Sequence, residues 1–224
     1  MIEQFVIEHT IQKHILGVLL HREYARFRDL RPSNVDTNLY SYHLKKLLKR
    51  NYVLKTSKGY TLGLPGMVYV DRINTSTIKV TPQPKIITMS VIFNKNGDVI
   101  MYEKLRQPFI YRWTLPLGKL HNNDSSLERA AQREVYEKTG VAHVALRHVG
   151  ECYIRVVHDE NVELTTLAHV FVGTYDGVIN NQEVKWVHSN VLADLNTAPA
   201  IRQIIQRVQS ETKTHFFDEI NEVL

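Results

Sequence analysis

Two prolines in the segment Thr81-Pro82-Gln83-Pro84 constrain the fold of this chain more than any other feature. Proline fixes φ and lacks a backbone N–H, so a pair this close disfavours both a helix and a central strand. The charge changes at the same place. Residues 1–80 carry 13 Lys and Arg against 6 Asp and Glu, and residues 81–224 carry 15 against 17, of the chain's 28 and 23. We therefore predict a linker here and two domains, 1–80 and 81–224.

The composition restricts the class of protein that these domains belong to. Hydrophobic residues make up 43% and charged residues 23% of the 224, which favours a packed core over disorder. The one cysteine, Cys152, excludes an internal disulfide and indicates a reducing compartment. The sequence has no signal-peptide pattern and no run of the roughly 20 apolar residues that span a bilayer. We expect a cytoplasmic protein with no membrane partner.

The first eighty residues have the pattern of three helices followed by a β-hairpin. Apolar residues recur at helical spacing over about 5–20, and a short second helix is expected near Arg26. Asp36 is a suitable N-cap for a third helix, whose inward face we expect to include Leu39 and Tyr40. Two β-like runs around a Ser-Lys-Gly turn complete this part of the chain.

This order of elements resembles the winged helix-turn-helix domain of transcription regulators, most specifically over residues 38–47. The resemblance implies that the third helix enters the major groove of double-stranded DNA. By analogy with regulators that bind palindromic DNA, the chain is expected to form a homodimer. A lysine-rich face is also typical of a solvated helix, and winged helices serve as docking modules too, so these alternatives stay open. The residues expected to contact DNA are Thr37, Asn38, Ser41, Tyr42, Lys45 and Lys46.

The remaining residues alternate strand and helix patterns, which indicates an α+β sandwich. A β-rich run covers 85–93, an Asn-Gly turn follows, and a strand returns over 98–105. An amphipathic helix is predicted from about Ser125 to Thr139 and ends at Gly140. Further strands are expected at 144–157 and 163–175, followed by a helix at 198–210 and a short tail.

One stretch of this second part carries the pattern of a known motif. Gly118 is followed by Arg133-Glu134-Val135-Tyr136-Glu137-Lys138-Thr139-Gly140-Val141. This resembles the Nudix box, G-x5-E-x7-R-E-U-x-E-E-x-G-U, where U is a bulky aliphatic residue. The resemblance covers about residues 85–210. It implies a Nudix-type α/β/α sandwich and cleavage of compounds in which a nucleoside diphosphate is linked to another group.

The chemistry of such a cleavage explains the residue types in the motif. Glu134 and Glu137 are spaced i, i+3, so one helix face presents both carboxylates to a metal. Mg²⁺, or Mn²⁺ in its place, would neutralise the diphosphate and activate a water. The resemblance implies that Arg133 orients the carboxylates, that the Leu117 carbonyl adds a metal ligand, and that Gly118 lets the loop fold tightly against the helix.

The sequence departs from the family pattern at three points. The spacing from Gly118 to Arg133 is one residue longer, Asp124 replaces the first glutamate, and Lys138 replaces the second glutamate of the pair. A protonated lysine has no lone pair for a metal and could form an ion pair with Glu134 instead. Family members also draw a glutamate from a later loop as base or ligand. In this chain the candidates for that role are Glu160 and Glu163.

Two functions therefore remain as hypotheses. The first is a Mg²⁺-dependent Nudix hydrolase with an appended winged-helix module, in which Arg106 and Arg112 contact substrate phosphates. The second is a transcription regulator whose Nudix-like domain binds a nucleotide metabolite without cleaving it. Lys138 favours the regulator, whereas the retained Arg133 and Glu137 favour the hydrolase.

Overall fold

The computed structural model describes residue 7 and residues 9–74, 79–80, 83–159, 161–210 and 214–223. The chain divides into two compact units, Met1–Pro82 and Gln83–Leu224. The division falls within the proline-containing segment, of which Thr81 and Pro82 lie outside the described residues.

The first unit begins with helices and a hairpin in the predicted order. Its elements are α1 Thr10–Leu20, a 3₁₀ turn Phe27–Leu30, α2 Thr37–Lys49, β1 Val53–Thr56, β2 Gly59–Leu62, α3 Leu64–Asp71, β3 Ile73–Asn74 and β4 Lys79–Val80. Strands β1 and β2 pair antiparallel, as do β3 and β4. The expected start of the first helix near residue 5 lies outside the described residues. Helix α3 was not predicted, although Pro65 in its first turn is a recognised helix-start signal.

The core of the first unit lies between α1 and α2. Ile15 and Leu16 of α1 are fully buried with Leu47 of α2. Asp36 caps α2 as predicted, because its carboxylate accepts hydrogen bonds from the backbone N–H groups of the second and third residues after it. Leu39 is exposed, so its predicted place on the inward face was wrong. Tyr40 takes that place, and its hydroxyl donates to a backbone carbonyl at 2.8 Å.

The second unit is built on one eight-stranded mixed sheet. Its strands are β5 Lys85–Phe93, β6 Val99–Glu103, β7 Trp113–Thr114, β8 Leu117–Lys119, β9 Leu146–His158, β10 Asn161–Thr174, β11 Val184–Val187 and β12 Phe216–Val223. The main order is β11-β6-β5-β10-β9-β12, with β7 paired to β6 and β8 paired to β5. The pairs β5–β10 and β9–β12 are parallel.

Two helices, α4 Leu127–Thr139 and α5 Ile201–Ser210, cover opposite faces of this sheet. Side chains that alternate along β5 pack into the cores on both faces of the sheet. Met89 belongs to the core under α5, whereas Ile92 belongs to the core under α4. The predicted α/β/α sandwich is therefore present in this unit. Ser126 caps α4, and Gly140 ends it in the left-handed conformation with φ +76°.

The short tail expected after the last helix contains a strand, β12, which the sequence pattern did not predict. Strand β12 alternates buried or half-buried and exposed side chains along its length, and Phe216 at its start is buried. It lies close to β9 at Gly150, where an added Cβ would meet the Phe216 carbonyl oxygen at 2.4 Å. Nowhere in the residues that the structure describes does a helix combine the length and apolar character needed to cross a membrane.

Candidate functional site

A cavity of about 630 Å³ opens in the second unit beside the C-terminal half of α4. Strands β5, β6, β8, β9 and β10, the start of α5 and the loop after β6 also contribute to its wall. Its charged lining is predominantly basic, with Glu134 and Glu137 as the acidic groups among the described lining residues. The basic side chains are Lys85, Lys104, Arg106, Lys119 and Lys138, with His121 beside them.

Arg133 organises the carboxylates on α4. Its guanidinium forms a bidentate interaction with Asp124, in which Nε donates to Oδ1 at 3.0 Å and Nη2 donates to Oδ2 at 2.9 Å. Nη1 donates to Glu134 Oε1 at 2.6 Å and lies 3.5 Å from Glu137 Oε1. These hydrogen bonds, that to Asp124 first, raise the pKa of Arg133. Arg133 thus contacts both Glu134 and Glu137, the two carboxylates that the motif resemblance predicts it to orient.

Asp124, which replaces the first glutamate of the motif, binds Arg133 although the spacing is one residue longer. The hydrogen bonds from Arg133, followed by one from the His121 backbone N–H, lower the pKa of Asp124 to about 2. The turn before α4 holds Asp124 in place, because His121 N donates to Asp124 Oδ2 at 2.8 Å. An aspartate on this turn therefore binds the arginine although its side chain is shorter than glutamate.

Glu134 is enclosed by cations and by a glycine. Its side chain is 5% exposed, and Oε2 is buried without a hydrogen-bond donor among the described residues. The Lys138 ammonium lies 3.4 Å from Oε2, which is an ion-pair distance. Gly118 of β8 packs on this carboxylate so closely that an added Cβ would lie 1.8 Å from Glu134 Cδ. The glycine is required for this close approach.

These donors do not fit a Mg²⁺ ion at Glu134. Mg²⁺ requires near-octahedral oxygen ligation, but one oxygen of Glu134 is bonded to Arg133 and the other faces Lys138. Glu137 is 46% exposed and lies in the field of Arg133. Leu117 lines the cavity on β8, whereas Glu163 is exposed on β10 and is not among the lining residues. Glu160 lies outside the described residues.

The two arginines predicted to bind phosphate lie in different places. Arg106 lines the cavity, whereas Arg112 does not and places its guanidinium 5.5 Å from the centre of the Phe109 ring. Sequence reasoning missed Lys85 and Lys104, which lie 19 positions apart in the chain. They line the same cavity because the sheet brings the start of β5 and the end of β6 together there. Burial, followed by the charges of Lys85 and Arg106, lowers the pKa of Lys104.

A tyrosine of the cavity wall interacts electrostatically with both Glu134 and Arg106. Tyr102 lines the cavity on β6. Burial, followed by the Glu134 carboxylate, raises the pKa of Tyr102 to about 12. Its hydroxyl therefore stays protonated at neutral pH and can donate a hydrogen bond to an anion in the cavity.

In the first unit, the residues predicted to contact DNA lie along α2. Five of the six are exposed and Ser41 is half-buried. The Thr37 hydroxyl accepts a hydrogen bond from Arg31 Nη1 at 2.7 Å. The Lys46 ammonium lies 4.5 Å from the centre of the Tyr42 ring.

Comparison with known proteins identifies relatives of the second unit. A family model described as NUDIX domain matches residues 84–208. The 8-oxo-dGDP phosphatase NUDT18 of Danio rerio is 40% identical over 55 residues, which is 25% of this chain and only 17% of that protein's length.

Two solved structures are similar in fold to the second unit. The NUDIX domain of Shewanella oneidensis NrtR, solved as a complex with ADP ribose, superposes with a TM-score of 0.52 at 17% identity, covering 64% of this chain and 96% of that one. The MutT protein of Bacillus halodurans has a TM-score of 0.50 at 18% identity, covering 61% and 89%. At these identities the likeness concerns the fold alone.

Proposed function

The chain belongs to the NUDIX domain family, and we propose that its second unit binds the diphosphate of a nucleotide compound without cleaving it. The first unit, in this proposal, binds double-stranded DNA, so that the chain acts as a transcription regulator. The observation that carries the first statement is the Lys138 ammonium 3.4 Å from Glu134 Oε2. A cation of the chain itself stands where a catalytic metal would need an oxygen ligand.

The charge of the cavity supports diphosphate binding. Five Lys and Arg side chains face two carboxylates in its wall, and both carboxylates already interact with Arg133. Lysine and arginine neutralise phosphate oxygens through charge-assisted hydrogen bonds, so a diphosphate can be held here without a bridging metal. The volume of about 630 Å³ lies within the roughly 300–1,000 Å³ typical of small-ligand pockets.

The apolar part of the wall suits the remainder of such a ligand. Ile87 and Met89 of β5 and Phe109 of the loop after β6 line the same cavity. Apolar lining with a few convergent polar groups is the usual composition of a small-molecule site. We therefore expect the phosphates to lie near Lys104 and Arg106.

Hydrolysis requires a group that activates water as well as neutralisation of the phosphates. Glu134 is occupied by two cations and is almost wholly buried. Glu137 is the more accessible acidic group of the wall, but it lies 3.5 Å from Arg133 Nη1. We therefore propose that the nucleotide compound is bound as a ligand and is not cleaved.

A hydrolase is the second candidate, favoured by the Arg133, Glu134 and Glu137 constellation on α4. It requires that a bound diphosphate and Mg²⁺ or Mn²⁺ together displace the Lys138 ammonium from Glu134. The two candidate functions differ in their need for a divalent ion, because cleavage requires Mg²⁺ or Mn²⁺ and the proposed binding does not. The experiment therefore compares binding and cleavage with and without the ion.

ADP-ribose is the probe, because it is the compound bound to the NUDIX domain of Shewanella oneidensis NrtR. We expect calorimetry on the full chain to detect binding in the presence of a chelator, and chromatography to detect no cleavage after Mg²⁺ or Mn²⁺ is added. Arg106→Ala should weaken binding by roughly 10–100-fold, since a hydrogen bond to a charged group contributes about 1.5–3 kcal/mol. Arg112→Ala is the matched control, because Arg112 does not line the cavity.

Metal-dependent cleavage that disappears in Glu134→Gln would establish the hydrolase instead. If Arg106→Ala and Arg112→Ala bind ADP-ribose with equal affinity, the phosphates do not lie near Arg106 and that part of the proposal is wrong.

The DNA proposal rests on the exposed polar side of α2. The exposed Lys45 and Lys46 lie on the same helix as Thr37, Asn38 and Tyr42. Each lysine–phosphate contact contributes about 0.9 to the slope of log affinity against log salt. Lys45→Ala combined with Lys46→Ala should therefore lower that slope by roughly 2.

Lys95→Ala, which removes an exposed lysine of the second unit, is the control for that double variant. Binding that does not depend on salt would contradict the DNA proposal. Sedimentation of the chain with and without a palindromic duplex tests the expected homodimer.

A further inference from the structure

Three histidines converge on one carboxylate at the β12 edge of the sheet. Oε1 of Glu151 lies 3.3 Å from His148 Nε2 and 3.4 Å from His169 Nδ1. Its other oxygen, Oε2, lies 3.4 Å from His215 Nε2. None of these four residues lines the cavity beside α4. The group is therefore a second, separate constellation.

A β-bulge brings two of these side chains to the same face. Residues three apart on a regular strand point to opposite faces, so His148 and Glu151 of β9 would be expected to diverge. The pairing of β9 with β10 shifts here, because Val170 pairs with Gly150 while the next residue of β10 pairs with His148. The extra residue in β9 turns His148 toward Glu151.

The other two histidines come from the neighbouring strands. His169 of β10 is the direct cross-strand partner of Glu151. His215 immediately precedes β12, whose next residue, Phe216, pairs with Gly150 of β9. Positions far apart in the chain are thus placed together by the same sheet that forms the core.

Two of the imidazole nitrogens lack the partner that buried polar atoms usually have. His148 Nε2 and His169 Nδ1 are buried and make no hydrogen bond with any described residue. Both point at the Glu151 oxygen from distances that exceed a good hydrogen bond. A buried imidazole nitrogen that makes no hydrogen bond keeps its lone pair available to a metal ion when the imidazole is neutral.

The separations are those of ligands around one ion. One donor atom each from His148, Glu151 and His215 lie within 4.8 Å of one another. Zn²⁺ binds nitrogen and oxygen at about 2.0–2.2 Å, so neighbouring ligands of a tetrahedral ion lie roughly 3.3–3.5 Å apart. The distance of 3.3 Å from His148 Nε2 to Glu151 Oε1 and that of 3.4 Å from His215 Nε2 to Glu151 Oε2 match this spacing.

We propose that His148, Glu151 and His215 bind one Zn²⁺ ion, and that His169 orients the Glu151 carboxylate. Imidazole nitrogens select zinc and its transition-metal neighbours over Mg²⁺ and Ca²⁺, which require oxygen ligands. The ion joins β9 to the segment that leads into β12 and so fastens the C-terminal strand to the sheet. This site is independent of the nucleotide cavity and of the function proposed for it.

The test is titration of the full chain, first freed of metal with a chelator, with Zn²⁺ in a calorimeter. Co²⁺ replaces Zn²⁺ in a parallel experiment, because tetrahedral cobalt has visible absorption bands. We expect one ion per chain and a rise in Tm on zinc addition. His215→Ala is the principal variant, since this side chain is 55% exposed and its loss leaves the core intact. It should lower zinc affinity by more than the roughly 10–100-fold expected for His169→Ala, whose role is to orient a ligand.

Two controls separate this site from other zinc ligands of the chain. His158→Ala removes an exposed imidazole on the same strand that lies 3.5 Å from a carboxylate, and should leave zinc affinity unchanged. Glu134→Gln removes the cavity carboxylate and should also leave it unchanged. Zinc uptake that is equal in wild type, His215→Ala and Glu151→Gln, or no uptake by wild type, would overturn the proposal.

Discussion

Lys138→Glu restores the acidic pair of the Nudix box and removes the cation that faces Glu134. At the observed 3.4 Å the Coulomb attraction between Lys138 and Glu134 is about 5 kcal/mol at an effective dielectric constant near 20. Desolvation of the carboxylate offsets much of this, and Arg133 remains bonded to Glu134 after the lysine is lost. We therefore expect Lys138→Met to destabilise the chain by about 1–3 kcal/mol. Lys138→Glu should destabilise it further, because like charges then meet.

Thermal unfolding in a chelator and in millimolar Mg²⁺ separates the two effects. About 2–4 °C of Tm corresponds to each kcal/mol for a chain of this size. In the chelator, both variants should unfold below wild type, with Lys138→Glu the lower. Mg²⁺ should raise the Tm of Lys138→Glu, because adjacent carboxylates then offer oxygen ligands, and should leave wild type and Lys138→Met unchanged.

Two results would refute this reasoning. If Lys138→Met is as stable as wild type, the ion pair with Glu134 contributes nothing to the fold. If Mg²⁺ raises the Tm of wild type as much as that of Lys138→Glu, the lysine does not prevent metal binding, and the hydrolase becomes the better hypothesis.

Three further predictions follow from the same site. Gly118→Ala places a Cβ 1.8 Å from Glu134 Cδ, so it should cost about 1–3 kcal/mol and show as a lower Tm. Asp124 has its pKa lowered to about 2 from an ordinary 3.8, so the stability it contributes is complete above pH 3.8 and lost as the pH falls toward 2. The Tm advantage of wild type over Asp124→Asn should therefore vanish across that interval. Lys104→Met removes a half-buried ammonium whose pKa is lowered by burial and by the charge of Lys85. It should therefore raise the Tm of the free protein while weakening ADP-ribose binding by about 10-fold in calorimetry.

Local patterns predicted well those elements whose signals lie within a few residues. Helix α4 has a serine cap at one end and a left-handed glycine at the other, and both were readable because caps act on the adjacent turn. The ion pair between Lys138 and Glu134 was likewise predicted from their i, i+4 spacing on one helix.

Features that depend on strand pairing could not be predicted in the same way. Strand β12 has a polar, alternating sequence, and its place is determined by its pairing with β9, more than 60 positions earlier. The histidine cluster depends on that pairing and on a bulge beside Gly150. The spacing of His148 and Glu151 was its one local signal, and in a regular strand that spacing indicates opposite faces.

The positive charge of Lys138 bears on both parts of the function proposed for the second unit, which are diphosphate binding and the absence of cleavage. A metal in a phosphate site neutralises oxygens and also holds a water for attack, whereas an ammonium neutralises oxygens and holds no such water. With Lys138 paired to Glu134, the motif helix keeps its hydrogen bonds around Arg133, including the bidentate pair from Arg133 to Asp124. The positive charge of Lys104 and Arg106 remains available to a diphosphate. In the function we propose, Lys138 in place of the second glutamate removes the means of cleavage and leaves the means of binding, which is the property that a nucleotide-responsive regulator requires.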